Sequence, residues 1–240
     1  MLADDEIHVW LTDLARPPAR LAELTAILTE DERARAAQFH DPGQRDGFIV
    51  GRGLLREALG RYLNRPAAAL RFGRNAHGKP ALADAGSGSD LHFNLSHSGG
   101  RALLAVARRK VGVDLERLDR RVSQVAIAER VCTPREWTAF QAASAARRSL
   151  DFFTCWTRKE ASAKALGGGL ASGLRALDVC FPAESHPAGR ACWTDGQGGQ
   201  WSVLNLELAA GWMGALAAAG RDWRWRGWLL PDPFGLASGE

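Results

Sequence analysis

The 240-residue sequence has few cysteines, and none of them form a C-x-x-C pair. Cys132, Cys155, Cys180 and Cys192 are widely spaced, which predicts neither a zinc site nor a disulfide framework, so we expect reduced thiols. The chain also lacks an apolar run of the roughly 18 residues that a membrane span needs. Its first residues are acidic where a secretory signal would be basic. These absences predict a cytoplasmic protein with no membrane association.

Lysine is scarce as well, since the 31 basic residues include only four lysines. Because arginine is used so widely, the few positions that keep lysine are expected to need a compact point charge, as a phosphate site does. No long run of basic residues occurs, and the net charge of +4 is modest. Nucleic-acid binding is therefore not predicted, whereas acidic or phosphorylated partners are.

The most informative stretch is V-G-V-D-L-E, residues 111–116. Its alternation predicts a strand that projects Asp114 and Glu116 from one face. Two neighbouring carboxylates repel each other unless a cation lies between them. Oxygen ligands favour a hard ion such as Mg²⁺, which takes its remaining ligands from water and substrate phosphates. The motif indicates phosphate chemistry, although an isolated D-x-E pattern is also typical of an edge strand with a solvated polar face.

A second informative stretch is W-T-R-K-E-A-S-A-K, residues 156–164. Trp156, Glu160 and Lys164 recur at i, i+4 and i+8 and share one face of a predicted helix, with Lys159 beside them. This face either carries a surface Glu–Lys pair or lines a cleft. Earlier in the chain, residues 96–98 (Ser-His-Ser) can offer N–H groups, a hydroxyl and an imidazole to an anion, or they form an ordinary turn.

Periodicity predicts strands and helices in a similar order in each half of the chain. The predicted strands are 7–11, 91–94, 102–107, 111–116, 176–181, 201–208, 212–219 and 223–230. The predicted helices are about 21–28, 29–39, 43–63, 122–131, 133–146 and 149–166. Residues 71–82, 95–100 and 182–200 are predicted loops. The predicted fold is α+β, with two pseudo-symmetric halves at 1–110 and 111–230 and a disordered tail at 231–240.

The helix at 43–63 carries Arg45, Arg52 and Arg56 on one stripe. Three arginines at this spacing can bind a phosphate, or they can form a solvated face.

Five motifs between residues 45 and 170, in this order, resemble those of the 4'-phosphopantetheinyl transferases. They are G-R-G-L-L-R at 51–56, G-K-P at 78–80, F-N-L-S-H-S at 93–98, V-G-V-D-L-E at 111–116 and the helix motif at 156–164. The chain length is similar to that of the long, Sfp-type class. The resemblance implies a monomer whose two halves pack side by side, with the active site at their interface.

The resemblance also implies the roles of individual residues. Asp114, Glu116 and Glu160 would hold Mg²⁺, or Mn²⁺ in its place, together with the pyrophosphate of coenzyme A as co-substrate. Lys164 would contact the phosphates and stabilise the leaving group, and Glu160 would accept a proton. The 3'-phosphate, adenine end and pyrophosphate would be held by Arg52, Lys79, Ser96 and His97.

The implied reaction is attack by a serine hydroxyl of an acyl or peptidyl carrier protein on the β-phosphate of coenzyme A. Its products are the holo carrier and 3',5'-ADP. Two alternatives remain open: a Mg²⁺-dependent pyrophosphatase acting on coenzyme A or nucleotides, and a non-catalytic module that binds coenzyme A or a carrier. The motifs do not distinguish carriers of fatty-acid, polyketide or nonribosomal-peptide biosynthesis.

Overall fold

The structure, a computed structural model, is an α+β fold made of two halves. It describes residues 2–75, 78–83, 90–119, 123–168, 173–179 and 189–229. The strands are β1 (Glu6–Asp13), β2 (Phe72–Arg74), β3 (Pro80–Leu82), β4 (His92–Ser98), β5 (Arg101–Ala107), β6 (Val111–Arg117), β7 (Ala191–Thr194), β8 (Gln200–Leu206), β9 (Trp212–Ala219) and β10 (Arg224–Leu229). The helices are α1 (Pro18–Ala26), α2 (Glu30–Ala37), α3 (Pro42–Leu63), α4 (Gln124–Val131), α5 (Pro134–Ala142) and α6 (Ala145–Leu166).

Each half contributes a four-stranded sheet. The first has the order β10-β1-β5-β4, and the second has the order β6-β9-β8-β7; β2 and β3 form a separate hairpin. All pairs are antiparallel except β1 with β10. The sequence placed the strand at 223–230 with the C-terminal half, but β10 joins the sheet of the N-terminal half. The division at 110/111 stays a prediction, and the tail at 231–240 lies outside the described residues.

The first sheet is covered on both faces, which explains why almost every residue of β5 is buried. Leu104 and Val106 of β5 pack into the core formed with α1 and α3. The alternate residues Leu103 and Ala105 pack against the second sheet. Helix α6 covers the far face of that second sheet. The layers are therefore helices, sheet, sheet and helix.

Most predicted helices are confirmed, although α6 begins at Ala145, earlier than the predicted residue 149. Thr29 and Glu32 form a capping box at the start of α2. Asp41 caps α3, which ends at the left-handed Asn64. The helix predicted at 133–146 ends earlier, because Ala143 is extended and α6 begins after it. None of the helices in the described stretches has the length and apolarity to cross a membrane.

Three predicted loops and one predicted strand are wrong. The predicted loop 71–82 contains the β2–β3 hairpin, and the predicted loop 182–200 contains β7. Residues 96–98 belong to β4 rather than to a turn, because the pairing of β4 with β5 continues to Ser98. Of the strand expected at 176–181, the described part 176–179 has no strand and follows a 3-10 turn at Leu174–Ala176. In short segments of mixed polarity, the hydrophobic period is too weak to distinguish a strand from a loop.

Candidate active site

Strand β6 lies directly beneath helix α6, and Gly112 makes this approach possible. A Cβ atom at Gly112 would overlap the backbone of Ala161 and Ala165 in α6. Glycine is therefore required here by the close approach of a backbone. The helix motif at 156–164 is thus held over the carboxylates of β6.

The two halves meet where β4 lies alongside β6, and side chains join the two strands. Asn94 Oδ1 accepts a hydrogen bond from the Val113 N–H at 2.8 Å. Ser96 Oγ donates to Asp114 Oδ1 at 3.0 Å, and Ser98 Oγ donates to Glu116 Oε2 at 3.0 Å. Polar residues at every second position of β4 therefore bond to the backbone of β6 at Val113 and to its carboxylates at Asp114 and Glu116.

Lys164 and Glu160 complete the cluster from α6. The Lys164 ammonium lies 2.6 Å from Asp114 Oδ1 and donates to Ser96 Oγ at 3.0 Å. Burial, followed by the charge of Asp114, raises the pKa of Glu160 to about 7. Burial also raises the pKa of Asp114, although Lys164 opposes the shift. Three carboxylates beside one ammonium leave an excess of negative charge that favours a further cation.

Two buried carboxylate oxygens indicate where such a cation fits. Asp114 Oδ2 and Glu160 Oε1 are buried and have no hydrogen-bond partner in the described part of the chain. Unpartnered buried oxygens are costly, and hard oxygen donors suit a divalent ion. The ligand oxygens of Asp114, Glu116 and Glu160 do not all lie within 4.8 Å of one another. The donor set fits a divalent cation, which would require the three groups to approach.

Glu116 is oriented by both halves of the chain. Its Oε2 accepts from Ser98 of β4 at 3.0 Å, and its Oε1 accepts from Trp156 Nε1 of α6 at 3.1 Å. Trp156 is itself stacked on Phe152, with ring centroids 6.3 Å apart. Each oxygen of this carboxylate thus has a directed donor.

A cleft of about 780 Å³ in the N-terminal half reaches β4 at Asn94 and His97. Its walls also carry three acids of α2, Glu30, Asp31 and Glu32. The basic residues of its lining are Arg35, Arg52, Arg56, Arg71, Arg74 and His97. A basic cleft beside a carboxylate cluster can bind a phosphorylated ligand whose other end reaches the cation.

The three arginines predicted to share one stripe of α3 have different environments in the structure. Arg56 is 1% exposed and pairs with Glu32 at 2.7 Å, and it also donates to two carbonyl groups. Arg52 pairs with the same Glu32 at 2.6 Å and lies over the Phe72 ring. Arg45 is exposed and pairs with Asp46. Neither original alternative describes Arg56, which is a buried structural cation, whereas Arg52 lines the cleft.

The structure places Lys79 apart from the cleft. Its ammonium donates to the carbonyl oxygens of Val111 and Lys164 at 2.9 and 2.5 Å. Burial, followed by the charges of Lys110 and Lys164, lowers its pKa to about 8. Lys79 therefore connects the hairpin to β6 and α6, and its contact with phosphate stays a prediction.

Of the predicted site residues, Ser96, Asp114, Glu116, Glu160 and Lys164 come together between the two halves. Arg52 and His97 lie along the neighbouring cleft. Sequence reasoning missed Ser98. The alternation of Asn94, Ser96 and Ser98 would have identified it, had these residues been assigned to a strand instead of a turn.

Comparisons with known proteins identify the family of the chain. A family model described as the 4'-phosphopantetheinyl transferase superfamily matches residues 110–219, and one described as 4'-phosphopantetheinyl transferase, N-terminal, matches residues 17–109. The chain is 37% identical over 232 residues to the 4'-phosphopantetheinyl transferase HetI of a Nostoc strain, covering 95% of this chain and 93% of that protein.

More distant relatives match over shorter stretches. The 4'-phosphopantetheinyl transferase Sfp of Bacillus subtilis is 25% identical over 154 residues, which are 64% of this chain and 66% of that protein. The human L-aminoadipate-semialdehyde dehydrogenase-phosphopantetheinyl transferase is 30% identical over 172 residues, with coverages of 67% and 56%. The chain therefore belongs to the 4'-phosphopantetheinyl transferase superfamily, with long Sfp-type members among its relatives, and is an enzyme that transfers the phosphopantetheine group.

Proposed function

We propose that this enzyme transfers the phosphopantetheine arm of coenzyme A to a serine of an acyl or peptidyl carrier protein, with Mg²⁺, and releases 3',5'-ADP. The observation that carries the proposal is the pair of unpartnered buried oxygens, Asp114 Oδ2 and Glu160 Oε1, next to the Lys164 ammonium. The basic cleft supports it, because the cleft offers charges for the far end of the same ligand.

The chain's residues would divide the binding of coenzyme A. Arg52 and His97 line the cleft and would hold the 3'-phosphate and adenine end. Lys164, with Ser96 beside it, would contact the pyrophosphate. Its ammonium would stabilise the negative charge that develops on the leaving oxygen. Asp114, Glu116 and Glu160 would hold Mg²⁺, which supplies neutralisation of charge on the pyrophosphate when bound.

Glu160 is the residue proposed to accept the serine proton. In the metal-free protein the pKa of Glu160 is about 7. Bound Mg²⁺ would lower this pKa, and the ionised carboxylate would then be free to accept the serine proton. All of these groups come from one chain, so we propose that a monomer suffices.

Intact mass spectrometry of an apo carrier incubated with the enzyme, coenzyme A and Mg²⁺ tests the proposal. We expect a gain of about 340 Da, the mass of one phosphopantetheine arm, that EDTA abolishes because the carboxylates require a cation. Cleavage of coenzyme A at equal rates with and without several carriers would favour the pyrophosphatase instead. Binding of coenzyme A without cleavage or transfer would favour a binding module.

The Glu160→Gln variant tests the residue assignment. It should abolish transfer, because it removes both a carboxylate ligand and the base, and leave coenzyme A affinity within a few-fold. Glu129→Gln changes an exposed acid on α4 and serves as the matched control. Wild-type turnover by Glu160→Gln would refute the assignment.

A further inference from the structure

A second cluster of possible ligands lies at the junction of α4, α5 and α6, away from the cleft. Cys132 follows α4, and its sulfur lies 4.0 Å from that of Cys155 in α6. Both side chains are buried. One ligand atom each from Cys132, Glu136 and Cys155 lie within 4.8 Å of one another, and this is the one such group among the described residues. The two cysteines are distant in sequence, so their spacing carries no metal signature.

The two sulfurs lie within hydrogen-bonding distance of each other. This distance is close to the one between two ligands of a shared ion and is too long for a disulfide. Two thiolates on a tetrahedral zinc ion are about 3.8 Å apart, because each Zn–S bond is about 2.3 Å. A disulfide requires about 2.05 Å. A cavity of about 210 Å³ adjoins both sulfurs and is also lined by Asp151 and Thr154. It offers space for a fourth ligand, and Ala139 on its wall is exposed.

The cluster stays neutral when a divalent ion replaces the protons of the two thiols. Glu136 Oε2 pairs with the fully buried Lys159 at 2.7 Å and accepts from the Thr133 N–H. Oε1 accepts one hydrogen bond, from the Val179 N–H at 3.1 Å, so a lone pair remains for a metal. A divalent ion and Lys159 contribute three positive charges, and two thiolates and Glu136 contribute three negative ones. A neutral cluster is the least costly one to bury.

We propose that Cys132, Cys155 and Glu136 form a Zn²⁺ site, with the fourth ligand supplied from the adjoining cavity. Thiolates with a carboxylate suit zinc, whereas Mg²⁺ prefers oxygen alone. Both thiols lose their protons when the ion binds. The site would join the end of α4 and the start of α5 to α6. Its ligand in α6, Cys155, directly precedes Trp156, which donates a hydrogen bond to Glu116.

Cobalt titration of the reduced, metal-free full chain tests the site. We expect near-ultraviolet thiolate-to-cobalt absorption that saturates at one equivalent and disappears when Zn²⁺ is added. Thiolate absorption separates this site from the carboxylates beside Lys164, which would bind Co²⁺ without it. Cys132→Ser and Cys155→Ser should each abolish the band, whereas Cys192→Ser, in β7, should keep it. No band in the wild type with excess Co²⁺ would overturn the proposal.

Alkylation of the wild type gives a second test that does not depend on the folding of a variant. Zn²⁺ should slow the reaction of iodoacetamide with Cys132 and Cys155 at least 10-fold, read by peptide mass, and leave Cys192 unchanged. Equal rates with and without Zn²⁺ would contradict the proposal. So would a disulfide between the two cysteines in the freshly purified protein, seen as a mass lower by two hydrogens.

Discussion

Glu116 carries one donor from each half of the chain, and both donors can be removed without changing the carboxylate. Ser98→Ala removes the bond to Oε2, and Trp156→Phe removes the bond to Oε1 while keeping the ring stacked on Phe152. Partners that orient a metal ligand contribute strongly to metal affinity.

We expect each of these two variants to weaken Mn²⁺ binding by roughly 10-fold, measured by electron paramagnetic resonance of free Mn²⁺. Ser149→Ala is the control, because its hydroxyl bonds to Gln124 outside the site. Unchanged Mn²⁺ affinity in both variants would show that the two donors do not orient Glu116 for a cation.

Glu160 also links the stability of the metal-free protein to pH. Its pKa rises from 4.5 to about 7 on folding, so its contribution to stability is complete below pH 4.5 and is lost as the pH rises through 7. In Glu160→Gln no charge forms there. The free energy of unfolding of the variant should therefore be about 1 to 3 kcal/mol higher than that of the wild type at pH 8. At pH 4.5 the two free energies should be about equal.

Urea titrations in EDTA at the two pH values measure this difference. EDTA is needed because a bound ion would favour the charged carboxylate and mask the effect. A variant that differs from the wild type by the same amount at both pH values would contradict the assignment of the shift to Glu160.

At the scale of elements, the site depends on the contact between β6 and α6. Gly112→Ala would place a methyl group on the backbone of Ala161 and Ala165, which cannot retract as a side chain could. We expect a loss of at least about 3 kcal/mol in the free energy of unfolding, measured in urea. Gly196→Ala is the control, since its Cβ would meet nothing within 4 Å. Similar losses in both variants would mean that Gly112 is not limited by packing.

The elements also show what could be predicted from the sequence. Long segments with a strong period and clear caps, such as α3, were predicted nearly to the residue. The carboxylates of β6 and the face of α6 were predicted to share a site because the resemblance to the 4'-phosphopantetheinyl transferases implies it. The burial of Arg56 and the position of Lys79 were not predictable, since both depend on partners distant in sequence, Glu32 and the carbonyl groups of Val111 and Lys164.

At the scale of the whole molecule, the cleft belongs to the N-terminal half and the carboxylates of β6 and α6 to the C-terminal half. A ligand that reaches both would therefore be bound by the two halves together. We expect coenzyme A with Mg²⁺ to raise Tm by more than the sum of the shifts from each alone. Differential scanning fluorimetry measures the shifts in Tm. The reference sample is the protein in Ca²⁺-free buffer with EDTA. Strictly additive shifts would show that the two ligands bind independently.

The parallel pairing of β10 with β1 has a consequence for synthesis on the ribosome. Residues 224–229 pair with residues 6–11, so β1 leaves the exit tunnel long before the strand with which it pairs. Until then the outer edge of β1 is exposed and can pair with other extended chains. The order of translation therefore completes the N-terminal sheet only after every strand of the second sheet has been made.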